Sequence, residues 1–73
     1  PAVGEEIKAP VLGTVLHLIK KPGDAVAAGD TILVLEAMKM ENDVVSPVNG
    51  KVLEIRVTEG QDVNPGDVLA TVG

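Results

Sequence analysis

The residues that suggest chemistry are concentrated in one short stretch, EAMKM, at positions 36–40. This stretch places Lys39 between Met38 and Met40, the two methionines of the chain. A lysine amine can act as a nucleophile and form a covalent bond to an acyl group. Methionine is a flexible apolar residue that usually fills gaps in a core. The question is therefore whether Lys39 is an ordinary surface lysine or an amine presented for a function.

Other polar residues offer weaker candidates. Glu36, Glu41 and Asp43 could form a pair of catalytic carboxylates, as in a glycosidase. The chain has no Phe, Tyr or Trp to hold a sugar, so this interpretation is disfavoured. His17 is the single imidazole, and a lone histidine does not make a metal site. We therefore expect His17 at the surface, no catalytic residue and no metal site.

The composition predicts one small β-rich domain. A chain of 73 residues buries only about 60% of the surface that it exposes when unfolded. With no cysteine and no aromatic residue, its core must be aliphatic, and 13 valines, 7 leucines and 4 isoleucines supply it. Such residues favour strands. The net charge of −5 argues against nucleic acid or an anionic membrane as a partner, and no apolar run reaches the length of a membrane span.

An internal repeat organises the chain. Residues 7–36 align with residues 44–73 without a gap, at a constant offset of 37, and nine of the 30 pairs are identical. Two copies of a three- or four-strand unit related by a pseudo-twofold axis would close a flattened antiparallel β-barrel or sandwich. Residues 37–43 have no counterpart and form the connector between the halves. We expect residues 1–6 to be the remnant of a linker and residues 7–73 to be the domain.

Glycines mark the turns of both repeats. Pro22-Gly23 and Pro65-Gly66 have the order of a type II turn, whose second central residue has positive φ. Gly60 and Gly29 are their partners in the other copy. Asn49-Gly50 predicts a hairpin, and Gly13 is the repeat partner of Gly50.

The segments between the turns are predicted to be short strands. Alternation in KVLEIRV places Leu53 and Ile55 on one side, and the repeat places Leu16 and Leu18 likewise. We expect these four leucine and isoleucine side chains to form part of the core. The segment TILVLE (31–36) is apolar on both faces, as in a strand between two layers. No segment has a capped 3.6-residue periodicity, so almost no helix is predicted.

The connector is predicted to be a β-hairpin. The strand that ends at Leu35 can pair with the one that restarts near Asp43, with Met38 and Lys39 at the centre of the turn. Two-residue hairpin turns favour positive φ at both central residues. For residues other than glycine, this conformation costs on the order of 1 kcal/mol. Lys39 would then be exposed at the tip.

These residues carry a specific resemblance. EAMKM followed by END is similar to the biotin attachment motif of the biotinyl carrier domains, and APVLGTV, KPGD, AGDTILVLE, SPVNGKV and VNPGD resemble the strand and turn motifs of that family. The resemblance covers the chain from residue 7 onward. It implies a biotinyl/lipoyl-type barrel of two four-stranded sheets. It also implies that Lys39 carries biotin, that Met38 and Met40 are its recognition flank, and that Ala37 and Glu36 complete the motif.

The resemblance implies a carrier rather than an enzyme. A biotin protein ligase would attach biotin to the lysine, and the biotin would then carry a carboxyl group, as carboxybiotin, between separate active sites. Those sites would belong to carboxylase, carboxyltransferase or decarboxylase domains or subunits of a biotin-dependent decarboxylase, carboxylase or transcarboxylase. We expect a cytoplasmic location without direct insertion into a membrane. If the parent enzyme is a membrane-bound decarboxylase complex, the domain would be associated with that complex.

Two alternatives share the predicted fold. Lipoyl domains of 2-oxoacid dehydrogenases usually have Asp-Lys-Ala at the tip, so Met38 and Met40 disfavour that assignment. A structural adaptor, like the biotinyl-like domains of efflux adaptors, would have no modified lysine. Within the carrier family, the gapless repeat leaves no room for the extra thumb of some bacterial acetyl-CoA carboxylase carriers, which favours a decarboxylase or a multifunctional carboxylase as the parent.

Overall fold

The architecture is all-β, as predicted. The computed structural model describes residues 4–73, and this part of the chain contains eight strands and no helix. The strands are β1 (Glu5–Lys8), β2 (Gly13–Leu18), β3 (Ala25–Val26), β4 (Thr31–Ala37), β5 (Met40–Val45), β6 (Gly50–Ile55), β7 (Asp62–Val63) and β8 (Val68–Val72). They form two four-stranded antiparallel sheets with the orders β1-β8-β6-β3 and β5-β4-β2-β7. The part described has no helix that could cross a membrane.

The sequence repeat corresponds to a twofold relation between the two sheets. Adding 37 to each residue of the pair Val15↔Leu35 in β2–β4 gives the pair Val52↔Val72 in β6–β8. The same offset, added to Gly13 of β2 and subtracted from Val63 of β7, converts this pair of the β2–β7 pairing into the pair Gly50↔Val26 of the β3–β6 pairing. Each half of the chain therefore contributes strands to both sheets, which makes the sandwich one cooperative unit.

The folded part begins before the expected boundary at residue 7. Glu5 pairs with Val72 and Glu6 pairs with Thr71, so both residues belong to β1. The first three residues of the predicted linker lie outside the described residues.

The core prediction was half wrong, because bulges change which side chains point inward. Val15 and Val52 are buried, whereas Leu53 is 40% exposed and Leu16 is only half-buried. The register shifts in β2 between Val15 and His17, and in β6 between Val52 and Glu54. An extra residue in each strand reverses the alternation beyond it.

Past the bulges, Leu18 and Ile55 return to the inward side and pack against the core, as predicted. The strand TILVLE is buried on both faces, also as predicted, since Ile32, Leu33, Val34 and Leu35 are all buried.

Four glycine turns connect the strands with the predicted backbone conformation. Gly23, Gly29, Gly60 and Gly66 all have positive φ, between 89° and 96°. The residue after each glycine closes its turn, because its side-chain oxygen accepts a hydrogen bond from the N–H three residues earlier. These bonds are Asp24 to Lys21, Asp30 to Ala27, Gln61 to Thr58 and Asp67 to Asn64.

Gly13 and Gly50 do not mark hairpin turns, although the Asn49-Gly50 pair suggested one. That prediction was wrong, because β5 and β6, on either side of Asn49, lie in different sheets. A Cβ at Gly13 would lie 2.5 Å from the carbonyl oxygen of Glu36, and one at Gly50 would lie 3.0 Å from that of Gly73. Both glycines permit a close approach of two strands.

We expect Gly66→Val to destabilise the domain by about 1–3 kcal/mol, because a β-branched residue is strained at positive φ. Apart from its two chain neighbours, no atom of the described residues lies within 4 Å of the added Cβ, so the loss would come from the backbone rather than from a clash. Thermal and urea unfolding would measure it. Gly66→Asn is the control, since asparagine tolerates positive φ and should lose less than half as much. Equal stability of Gly66→Val and the wild type would contradict the turn assignment.

Candidate functional site

Lys39 lies at the apex of the β4–β5 hairpin. Ala37 pairs with Met40, which leaves Met38 and Lys39 as the two central residues. Their φ angles are 53° and 63°, the combination of a type I′ turn, whose twist matches that of the flanking strands. The predicted turn is therefore confirmed, with the unfavourable left-handed conformation taken by two residues that are not glycine.

The hairpin below this apex is firmly held. Strand β4 is a central strand that pairs with both β5 and β2. Leu35 and Ala37 face inward and are buried, and the backbone of β2 at Gly13 passes close to Glu36. Strand pairing and burial thus hold the base of the strained turn, whereas the side chain of Lys39 is exposed.

The amine of Lys39 projects into solvent. The side chain is exposed, and the one ion pair within residues 4–73 joins Arg56 to Glu54 instead. An engulfed or internally paired amine would have excluded a presented lysine, and the structure shows neither.

The two methionines beside Lys39 are not core residues. Met38 is 94% exposed and Met40 is 66% exposed. Since methionine usually fills gaps in a core, their exposure on both sides of one lysine indicates a surface that is used for contact. Of the remaining residues predicted for the site, Ala37 is buried and fixes the strand, whereas Glu36 is exposed.

A groove under the turn was not anticipated from the sequence. It has a volume of about 420 Å³ and is lined by Val11, Leu12, Ala37, Met38, Met40 and Asn42. We call it the tip groove. Leu12, in the loop before β2, is 65% exposed, and Val11 is 40% exposed. A usable signal was present in the sequence, because the repeat partner of Leu12 is the polar Asn49.

Acidic side chains lie on the outer face of the same sheet. Glu36 and Glu41 are directly opposite each other in the hairpin, and Thr14 lies on the other side of Glu36. The hydroxyl of Thr14 donates a hydrogen bond to Asp62 Oδ1 at 2.8 Å. The carboxylates do not line the tip groove and are exposed, so nothing in their placement resembles a pair of catalytic carboxylates in a cleft. His17 is exposed, as predicted.

We expect Glu41→Lys to raise the free energy of unfolding by about 0.5–1 kcal/mol, because it replaces a pair of like charges that face each other across two strands with a pair of opposite charges. Urea unfolding at low salt would measure the gain. Glu5→Lys makes the same change of charge opposite Val72 and should have little effect. Equal effects of the two variants would show that overall charge, rather than the Glu36–Glu41 pair, is responsible.

Sequence comparison places the chain among known proteins. The family model described as "Biotin-requiring enzyme" matches residues 5–72. A biotin carboxyl carrier protein of Streptococcus mutans is 45% identical over 64 residues. The aligned segment covers 88% of this chain and 49% of that protein, so the chain spans about half the length of this relative.

Structural comparison gives a consistent result. Urea carboxylase of Kluyveromyces lactis contains a region that superposes with a TM-score of 0.94 and 33% identity, covering 100% of this chain and 6% of that one. The lipoyl domain of the Azotobacter vinelandii 2-oxoglutarate dehydrogenase complex superposes with a TM-score of 0.77 and 31% identity, covering 99% of this chain and 96% of that one. A region of a urea carboxylase and a lipoyl domain therefore share this fold.

Proposed function

The chain belongs to the biotin/lipoyl attachment family of biotin-requiring enzymes, and from that premise we propose that it is a carrier domain with biotin attached to Lys39. The observation that carries this proposal is the geometry of the tip. One exposed lysine occupies a type I′ turn between two exposed methionines, on a rigid hairpin. A covalent group fits there because the amine is neither buried nor paired within the described residues.

A separate ligase is part of the proposal. An amide forms when the neutral amine attacks an activated carboxyl group, and the amine must lose a proton to a base. A lysine amine in water is almost fully protonated at pH 7. The base and the activated biotin must therefore come from a biotin protein ligase, which would have to bind the tip.

The domain supplies presentation rather than catalysis. Biotin, when attached, carries a carboxyl group between two active sites of a biotin-dependent enzyme. The rigid sandwich keeps the turn in one conformation while the lysine side chain provides a flexible stem. Tethering gives the group an effective concentration of roughly millimolar at each site. The partners in this proposal are the carboxylase, carboxyltransferase or decarboxylase domains or subunits of the parent enzyme.

The parent enzyme is a further part of the proposal. The Streptococcus mutans relative is a carboxyl carrier protein, and the Kluyveromyces lactis structure is a carboxylase in which the matched domain is 6% of the chain. Both support a carboxylase or a related biotin-dependent enzyme as the parent. The gapless alignment of residues 7–36 with residues 44–73 supports a carrier without a thumb.

Treatment with a ligase tests the proposal. The chain should gain one biotinyl group when incubated with a biotin protein ligase, ATP and biotin, as seen by intact mass and located on Lys39 by peptide mapping. Parallel incubation with a lipoate ligase and lipoate is the comparison. A lipoyl adduct without a biotinyl adduct would assign the chain to the lipoyl branch. No adduct from either ligase would favour a structural adaptor.

We expect Met38→Ala to reduce the rate of biotin attachment several-fold while changing the free energy of unfolding by less than about 0.5 kcal/mol, because its side chain is almost fully exposed. Initial rates of ligation and urea unfolding would measure the two effects. Leu53→Ala removes another exposed apolar side chain, on β6, and should leave the ligation rate unchanged. An unchanged rate for Met38→Ala would remove Met38 from the recognition flank.

A further inference from the structure

We propose that the tip groove is a docking place for the biotin ring carried by Lys39, so that the arm rests on its own domain between transfers. The inference rests on the proposed function, since it assumes biotin on Lys39. It assigns a role to Val11, Leu12 and Asn42, which lie outside the EAMKM stretch.

The groove lies where the inner face of the hairpin changes from buried to exposed side chains. Leu35 and Val44 lie on the inner face of the hairpin and are buried in the core. Ala37, Met40 and Asn42 lie on the same face, nearer the tip, as shown by the pairs Ala37↔Met40 and Leu35↔Asn42. Met40 is exposed there and Asn42 is half-buried. The inner apolar face thus continues past the core and opens to solvent next to the attachment point.

The other half of the molecule shows that the fold does not require this apolar surface. The twofold-related position of Leu12 is Asn49, whose Oδ1 accepts a hydrogen bond from the N–H of Ala28 at 2.8 Å. The related position of Val11 is Val48, which packs against the core, whereas Val11 is 40% exposed. The two repeats have the same backbone at this position. One of them has a hydrogen-bonded asparagine there, whereas the one beside Lys39 has an exposed leucine.

The lining matches the chemistry of biotin. The fused rings and the acyl chain of biotin are largely apolar, and the ureido group has two N–H donors and one carbonyl acceptor. The side chains of Val11, Leu12 and Met40 would cover the apolar part. The Asn42 amide donates one hydrogen bond to the carbonyl oxygen of Met40 at 3.2 Å, which leaves its oxygen available to accept a hydrogen bond from a ureido N–H. A volume of about 420 Å³ lies in the range of small-ligand sites, and an apolar lining with one polar group is typical of them.

The tether makes weak docking sufficient. Lys39 lies between Met38 and Met40, both of which line the groove, so the flexible arm is anchored at its rim. A tethered ring has an effective concentration of roughly millimolar, and an intrinsic dissociation constant of about the same value would keep half of the rings docked. Docking of this strength would still release the ring readily to an active site.

Nuclear magnetic resonance of the biotinylated chain tests this inference. Intact mass and peptide mapping first confirm one biotinyl group on Lys39 in the wild type and in each variant. We then expect nuclear Overhauser effects between the biotin ring protons and the methyl groups of Leu12 and Met40, and relaxation of the ring at a rate between that of a free arm and that of the domain. In Leu12→Asn, which introduces the residue found in the other repeat, these effects should be lost and the ring should relax like a free arm.

Leu53→Asn is the matched control, since it replaces an exposed leucine on the other sheet. It should retain the contacts. A loaded wild-type chain whose ring shows no contact with the groove would overturn the inference, as would Leu12→Asn with unchanged contacts. The inference would also be overturned if the chemical shifts of the groove residues changed on addition of ligase but not on attachment of biotin. That result would assign the groove to a partner protein. Failure to load Lys39 at all would instead contradict the proposed function.

Discussion

Lys39→Arg will reduce attachment of biotin to background while leaving the fold intact. An arginine guanidinium remains protonated near neutral pH, so it cannot supply the neutral amine that forms an amide. Its positive charge and long aliphatic stem preserve the other properties of the turn. Because Lys39 is exposed and makes no ion pair within residues 4–73, we expect the free energy of unfolding to change by less than about 0.5 kcal/mol.

Intact mass after treatment with ligase, ATP and biotin would measure attachment, and thermal unfolding would measure stability. Lys51→Arg makes the same change at an exposed position of β6 and should be loaded as fully as the wild type. A biotinyl group on the Lys39→Arg chain would show that another lysine is the acceptor. A large fall in melting temperature would show that Lys39 supports the fold, which contradicts an amine that is free at the tip.

The hairpin and the turns could be predicted because each rests on a local rule. Positive φ at Gly23 and Gly66 follows from the Pro-Gly order. The turn at Met38 and Lys39 follows from the repeat, which left seven residues unmatched and so required a short connection between the two halves. Local geometry of this kind is encoded by a few neighbouring residues, so a single sequence was enough.

The orientation of the strands could not be predicted in the same way. Alternation of apolar and polar residues is reliable only while the register is continuous, and β2 and β6 each contain a bulge. A bulge depends on pairing with a distant strand, and nothing in KVLEIRV reveals the extra residue at Leu53. The hairpin predicted from the Asn49-Gly50 pair was wrong for a similar reason. Its glycine is required by close contact with Gly73, which is distant in sequence.

The tip groove was missed because it is formed by three separate segments. Leu12 comes from the loop before β2, Met38 from the turn and Asn42 from β5. None of these residues is unusual by itself. Comparison of the two halves is more informative, since twofold-related positions share the same structural requirements. A difference such as Leu12 against Asn49 therefore indicates a requirement other than folding.

Gly13→Val is expected to destabilise the domain by about 3 kcal/mol or more, a large part of its stability. A Cβ at this position would lie 2.5 Å from the carbonyl oxygen of Glu36, and that oxygen belongs to the backbone of a central strand. The neighbouring strand has to move, and the two further methyl groups of valine add to the overpacking. A chain of 73 residues has a total stability on the order of 4–11 kcal/mol, so many molecules would unfold at 37 °C.

Smaller substitutions separate the effect on folding from the effect on the tip. Gly50→Ala is the twofold-related control for Gly13→Ala, because its Cβ would lie 3.0 Å from the carbonyl oxygen of Gly73 and needs less movement. Urea unfolding should show a larger loss for Gly13→Ala. The ligation rate should also fall only in Gly13→Ala, because Glu36 lies on the strand that leads into the turn at Met38 and Lys39. Equal losses of stability and equal ligation rates in the two alanine variants would show that the contact at Gly13 does not position the lysine.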